Sequence, residues 1–314
     1  MVPGVPRPPV LLGFAVWFAL ALASFAPRVH LGIIEVLFLL GPWVVVPLGA
    51  DLMRGSGASK SSDVRDWALV TAALLTTVSF FLDNRTTAAW LASSWLLVCV
   101  GFAADGLRRF ANAGTKSFSQ FCFAVGEGYL LVVGAWLVAS RAGLQVLTFR
   151  EPIVLLTAVH FHFAGFASAV FAGLVDERFR VSKWNAFLRV ALLAVVCGPA
   201  ILGSAFLLGP KVKLVAALLI ASGQFGLAGG MVRVGVTAKN GIGRWLLFVA
   251  SASVAAGMVL AAVWAVGEYP LQGFVSIRQM AEFHGVLNAV GFVLCGLLGW
   301  LLVGSELAAR DNLG

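Results

Sequence analysis

The chain has 314 residues, of which 60% are hydrophobic and 11% charged, with 22 Lys and Arg against 14 Asp and Glu and a net charge of +8. A soluble protein covers its surface with roughly 25% charged residues, so this composition excludes a soluble globular chain and describes a polytopic membrane protein. The cations stand singly or in small groups between apolar runs, where they act as topology signals. The lipid bilayer is therefore the expected partner, and nucleic acid is not.

Division at charged and turn-rich stretches predicts ten membrane-spanning helices, over roughly 10–26, 30–49, 67–82, 87–104, 119–140, 152–173, 190–208, 214–232, 245–266 and 280–303. Each is close to the ~17–25 residues that a hydrocarbon core requires. Runs this long and continuous are helices, because a barrel strand alternates over about ten residues. The third and fourth are short and separated only by Asp83-Asn84-Arg85-Thr86, and the seventh is interrupted by Gly198-Pro199. The expected fold class is an all-α, polytopic transmembrane helix bundle of about ten spans, forming a single domain over 1–314. The longest polar connection, 51–66, is too short for a soluble domain, and no internal repeat is visible. The first span is expected to be retained rather than cleaved as a signal, since a second follows at once.

Lys and Arg are distributed unevenly between the two sets of loops. The N-terminal segment, the 51–66, 105–118, 174–189 and 233–244 loops and the C-terminal tail hold 15, and the alternate loops hold 7. The excess predicts that both termini are cytoplasmic. Cys99, Cys122, Cys197 and Cys295 lie inside predicted spans without a CxxC spacing and read as packing residues. The ten tryptophans, among them Trp67, Trp184 and Trp245, read mostly as interfacial anchors.

Ionisable residues within the spans carry the chemical information, because a charge at membrane depth costs at least ~2.5–3.5 kcal/mol and persists only with a partner or a role. In chain order they are Glu35, five residues beyond His30; Glu127, in Gly126-Glu127-Gly128-Tyr129; His160 and His162; and Glu282 with His284, followed by Asn288. The second, sixth and tenth spans run from the outside inward. This places Glu35 about one and a half turns deep, His160 and His162 near mid-membrane, and Glu282 and His284 in the outer half. If these helices are neighbours their side chains share one pocket, with Glu127 rising from the inner face to its floor.

Helical geometry restricts the roles. Residues i and i+2 are about 200° apart around a regular helix, so His160 and His162 diverge unless the helix is distorted, and so do Glu282 and His284. His284 and Asn288 share a face, beside Gly285 and Gly291 that permit close helix approach. The plain structural reading of each motif is an interhelical hydrogen bond made by the histidine.

Four histidines are too few for a membrane di-iron centre, which needs about eight. A bis-histidine haem would use His160 or His162 with His284, but no second pair accompanies them. A metal held by His160, His284 and Glu282 is chemically possible, although the i,i+2 spacings disfavour it. No aspartate-rich motif for magnesium and diphosphate is present, and no Ser/His/Asp arrangement stands out. Neither a metal nor a cofactor is expected.

Two stretches resemble the YndJ-like family of bacterial integral-membrane proteins: Leu156-Thr157-Ala158-Val159-His160-Phe161-His162-Phe163-Ala164-Gly165-Phe166, and His284-Gly285-Val286-Leu287-Asn288-Ala289-Val290-Gly291-Phe292. The resemblance implies a polar site shared by the family and location in the bacterial cytoplasmic (inner) membrane, without naming a reaction.

The remaining constellation is a set of carboxylic acids and imidazoles walled by Phe161, Phe163, Phe166, Phe283 and Phe292, with Tyr129 and Asn288 as further substrate contacts. It suits a lipophilic small-molecule substrate arriving from the bilayer. A carboxyl in low dielectric tends to stay protonated and serves as general acid, while a neutral imidazole serves as base. Glu282, His284, His160, His162, Glu35 and Glu127 are the candidate catalytic residues of a cofactor-independent cyclase, isomerase or epoxide-opening enzyme. A proton-coupled carrier fits the same residues, and a structural membrane protein with packing histidines is the third reading.

Overall fold

The computed structural model of the chain describes residues 7–54, 63–113, 117–179, 185–268 and 276–311. Ten helices account for most of them: α1 (Pro8–Ala23), α2 (Ile33–Arg54), α3 (Asp63–Ser79), α4 (Arg85–Ala113), α5 (Phe118–Arg141), α6 (Ile153–Phe179), α7 (Asn185–Leu208), α8 (Pro210–Thr237), α9 (Gly241–Glu268) and α10 (277–311). The architecture is an all-α polytopic bundle. Eight of the helices are long and apolar enough to cross a membrane, whereas α1 and α3 are shorter, with 16 and 17 residues.

Most helices run past the predicted spans into charged sequence, α4 through Arg108 and Arg109 for example. Backbone i to i+4 bonding continues into the headgroup region as readily as in the hydrocarbon, so a charge ends an apolar run without ending a helix. Prolines mark the starts of α1 and α8, where the missing amide proton is not needed. Between α7 and α8 the chain reverses through Gly209 at φ 107°, a conformation that side-chain-bearing residues rarely adopt.

The helices form two compact units, one within Pro6–Ala167 and the other within Ser168–Gly314, the boundary falling inside α6. In the first unit α2 is the most enclosed of the long apolar helices, buried along nearly its whole length. The reason is legible in Val36–Ala50, which carries no charge and is apolar all round, leaving no face suited to polar surroundings. It packs against α1, α3 and α6, while α4 and α5 pair along their length. Arg7 ties three elements together at one end: its guanidinium donates to Asp51 at 2.7 and 2.5 Å and to Asp66 at 2.8 and 2.6 Å. Burial by itself lowers the pKa of Arg7, but the two carboxylates more than offset this and hold it above its ordinary value.

The second unit contains the hairpins α7–α8 and α8–α9, with α10 packed on α9. Asp176, buried near the end of α6, accepts a hydrogen bond from Arg189 at 2.6 Å. Gln224 of α8 donates to Ser168 at 3.1 Å.

Candidate functional site

Sequence periodicity predicts a regular helix through the His160-Phe161-His162 stretch. Instead Phe161–Ala167 winds as a π-helix, a widened turn with i to i+5 bonding that is frequent at functional sites. His162 is fully buried. Its ring lies 5.0 Å from that of Phe38 and 6.1 Å from that of Trp95. On its remaining side it rests on Gly41, where an added Cβ would come within 2.6 Å of the imidazole. Gly41 opens a second π segment, Gly41–Val45, in α2. Pro42 accounts for that one, since it lacks the amide proton of a regular turn. The irregular turns of α2 and α6 thus meet at one imidazole.

Among the described residues neither ring nitrogen of His162 completes a hydrogen bond of good geometry, and neither does Nε1 of Trp95. The Ala158 carbonyl, one turn earlier, is a weak hydrogen-bond acceptor for the His162 ring. A buried polar group left without a full partner costs about 1–3 kcal/mol, and the weak bond to Ala158 offsets only part of that. His160 is half-buried, on a different side of the helix, with its ring 6.2 Å from that of Phe161.

Phe161, Phe163 and Phe166 are all buried. Phe161 meets Tyr129 of α5 with ring centroids 5.2 Å apart, and Phe166 packs on Gly49 of α2 and on Phe102 at 6.5 Å. These contacts make the aromatic residues of α6 the packing surface that α2, α4 and α5 share.

Glu127 is buried on α5 and is an ion-pair member. Arg109 of α4 donates to it through Nε at 3.0 Å and Nη2 at 3.3 Å, and to Gln120 at 2.7 Å. Close approach of the two helices at Gly106, where a Cβ would lie 2.7 Å from the Ala124 carbonyl oxygen, brings the pair together. Glu35 stands nearer the start of its helix than the predicted span start at residue 30 implies. Gly32 is the N-cap and helix α2 begins at Ile33, so Glu35 falls in the first turn, where a carboxylate also meets the positive end of the helix dipole. Arg141, stacked on Phe80 at 4.7 Å, feels the charges of Glu35 and Glu151.

The second unit holds Glu282, His284 and Asn288. Their helix is irregular too, with π segments at Met280–Gly285 and Leu287–Leu294. Nδ1 of His284 hydrogen-bonds the carbonyl of Gly257 on α9 at 2.9 Å. Asn288 donates to the His284 carbonyl at 2.7 Å and fills the space above Gly257, where a Cβ would come within 2.6 Å of Nδ2. Glu282 faces outward and pairs with Arg278 at 2.8 Å, and this hydrogen bond holds the exposed Arg278 above its ordinary pKa. Phe283 is 60% exposed, whereas Phe292 is buried against Phe171 at 5.2 Å. Among the described residues no three of His, Cys, Asp and Glu gather closely enough to hold a metal ion.

Sequence reasoning missed Arg109, Trp95, Phe38, Gly41 and Gly257. Arg109 counts as a topology cation, yet Gln120 and Glu127 stand seven residues apart on one face of α5, a pattern that asks for a shared donor. The Gly41-Pro42 pair inside an apolar span signals a helix irregularity. Trp95 and Trp43 are buried rather than interfacial, and Trp43 donates to Thr77 at 2.9 Å, while Trp67 and Trp245 are exposed. Nothing in one sequence marks Phe38 or Gly257.

The sequence pattern of the family described as "YndJ-like protein" matches residues 36–292, a range that includes both histidine motifs. The chain belongs to the YndJ-like family. It is also similar to the "Uncharacterized membrane protein YndJ" of Bacillus subtilis (strain 168), 24% identical over 215 residues, which are 68% of this chain and 39% of that protein. The chain therefore spans about two fifths of the length of that curated relative. No solved structure matches. Together with its eight long apolar helices, this makes the chain a multi-pass membrane protein.

Proposed function

We propose that the chain is an integral-membrane enzyme of the bacterial inner membrane, with both termini in the cytoplasm, that rearranges a lipophilic substrate by acid–base chemistry at His162. The observation that carries this reading is the fully buried imidazole, held without a complete hydrogen bond where two π segments meet. A packing histidine gains nothing from that arrangement. A base benefits, because its lone pair is left for substrate.

The chemistry favours an isomerase or cyclase over a hydrolase. In a double-bond shift the base removes a proton from one carbon and returns it to another, so a single imidazole completes the cycle with no net proton change and no cofactor. Phe38 and Trp95, packed at 5.0 and 6.1 Å from the imidazole, wall this position with apolar surface suited to a hydrocarbon substrate. Glu127, paired with Arg109, is an anchor for α4 and α5 in this scheme rather than the acid.

The test is deuterium incorporation. Purified protein in detergent, incubated in heavy water with a total bacterial lipid extract, should transfer deuterium to a specific lipid class, and His162→Gln should abolish the transfer while retaining the wild-type melting profile. Absence of any deuterated lipid with the wild-type protein, or equal labelling by His162→Gln, would refute the proposal. Proton-driven uptake confined to sealed vesicles and collapsed by a protonophore would establish the carrier instead.

A further inference from the structure

We propose that the groove between α3 and α4 is a binding site for an anionic phospholipid, with the phosphate at the Arg65–Arg108 mouth and the acyl chains along α4. The two helices form an antiparallel hairpin, so the first turn of α3 and the last turns of α4 lie at the same end. Between them is a cavity of about 350 Å³, within the range of about 300–1,000 Å³ typical of small-molecule sites.

Its mouth is cationic. Arg65 donates to Asp105 at 3.0 Å and lies over the Phe102 ring at 4.6 Å, and Arg108 donates to the other oxygen of Asp105 at 3.1 Å. Two guanidiniums share one carboxylate, which among the described residues leaves one positive charge uncompensated and most of the ten N–H donors unused. Arg65 is fixed in direction by the stacked ring and the shared carboxylate, as a phosphate clamp requires.

Below the mouth the groove becomes apolar along a single helix face. Arg108, Asp105, Gly101 and Val98 follow one another at three- and four-residue spacing on α4, and Leu69 of α3 lines the opposite wall. A Cβ built on Gly101 meets nothing within 4 Å, so the glycine leaves the floor open at the level just beneath the charges. Leu97, one turn further in, is 72% exposed and continues the strip. The sequence of features along α4, cation then open floor then apolar strip, follows the order of phosphate, glycerol and acyl chain in a phospholipid. A free anion would use the mouth and leave the apolar part unfilled. This site lies apart from His162 and does not depend on its role.

The experiment uses the full chain in detergent. Native mass spectrometry with equal concentrations of phosphatidylglycerol, phosphatidylethanolamine and phosphatidylcholine should show phosphatidylglycerol retained preferentially, with about a fivefold loss of retention for each arginine removed in Arg65→Gln and Arg108→Gln. Gly101→Leu, which keeps both charges and fills the floor, should also lose retention while melting at or above the wild-type temperature without lipid. Arg278→Gln, whose exposed guanidinium belongs to the other unit, should retain phosphatidylglycerol as the wild type does. Equal retention of the three lipids, undiminished retention by Gly101→Leu, or full competition by inorganic phosphate would overturn the proposal. If Arg65→Gln fails to fold, Arg108→Gln still decides the matter, because its side chain is 76% exposed and outside the packed core.

Discussion

Replacing Arg109 with Ala leaves Glu127, whose side chain is 3% exposed, as a buried carboxylate without its cation. Breaking a buried pair from one side costs about 3–5 kcal/mol. The Arg109 side chain is 23% exposed, so solvent reaches one partner, and the discounted cost is about 2–3 kcal/mol. For a chain of this size that corresponds to a drop of about 4–6 °C in melting temperature. Arg108, the neighbouring residue, is 76% exposed, and its Ala variant should shift by about 1 °C at most. Adding Glu127→Gln to Arg109→Ala removes the uncompensated charge and should recover part of the loss. Buried Cys99 and Cys122 offer the readout, since a thiol-reactive fluorophore reaches them only on unfolding. Heating rates must be matched, because thermal unfolding in detergent is irreversible. Equal shifts for Arg108→Ala and Arg109→Ala, or no recovery from Glu127→Gln, would refute the assignment of the pair as the lock between α4 and α5.

Gly41→Ala should destabilise by about 1–3 kcal/mol through overpacking against His162, and His162→Ala should relieve that cost, so the two changes combine less than additively in the same melting assay. His284→Ala removes the bond to the Gly257 carbonyl and should cost about 0.5–1.5 kcal/mol, whereas Phe283→Ala, at a 60% exposed position, should leave the melting temperature unchanged in detergent. Reporter fusions test the orientation: a cytoplasm-dependent fluorophore at Gly314 should be active, and an epitope in the 83–86 loop should be accessible from outside intact cells. Access to that epitope only after permeabilisation would invert the topology around α3 and α4.

Composition and hydropathy determined the class, the number of helices and nearly all of their positions. The physical reason is that a bilayer allows one solution for a long apolar run, a helix whose backbone bonds are internal. The same local rules placed Glu127, His160, His162 and His284 within spans, and the i,i+4 relation put His284 and Asn288 on one face. Tertiary structure alone decided what each residue faces. Gly41 lies 121 positions before His162 in the chain, and only the packing of α2 on α6 brings the missing Cβ to the imidazole. The pairing of Glu127 with Arg109 depends on the close approach of two helices at Gly106. Glu35 shows the limit of boundary arithmetic: with Gly32 as N-cap, α2 begins at Ile33, three residues beyond the predicted start at His30. The π segments were likewise hidden, apart from the Gly41-Pro42 pair, because a π turn is selected by contacts across helices rather than by the residues that form it. Depth and helicity follow from each residue's relation to lipid, which sequence order encodes. Partners follow from the relation of one helix to another, which it does not.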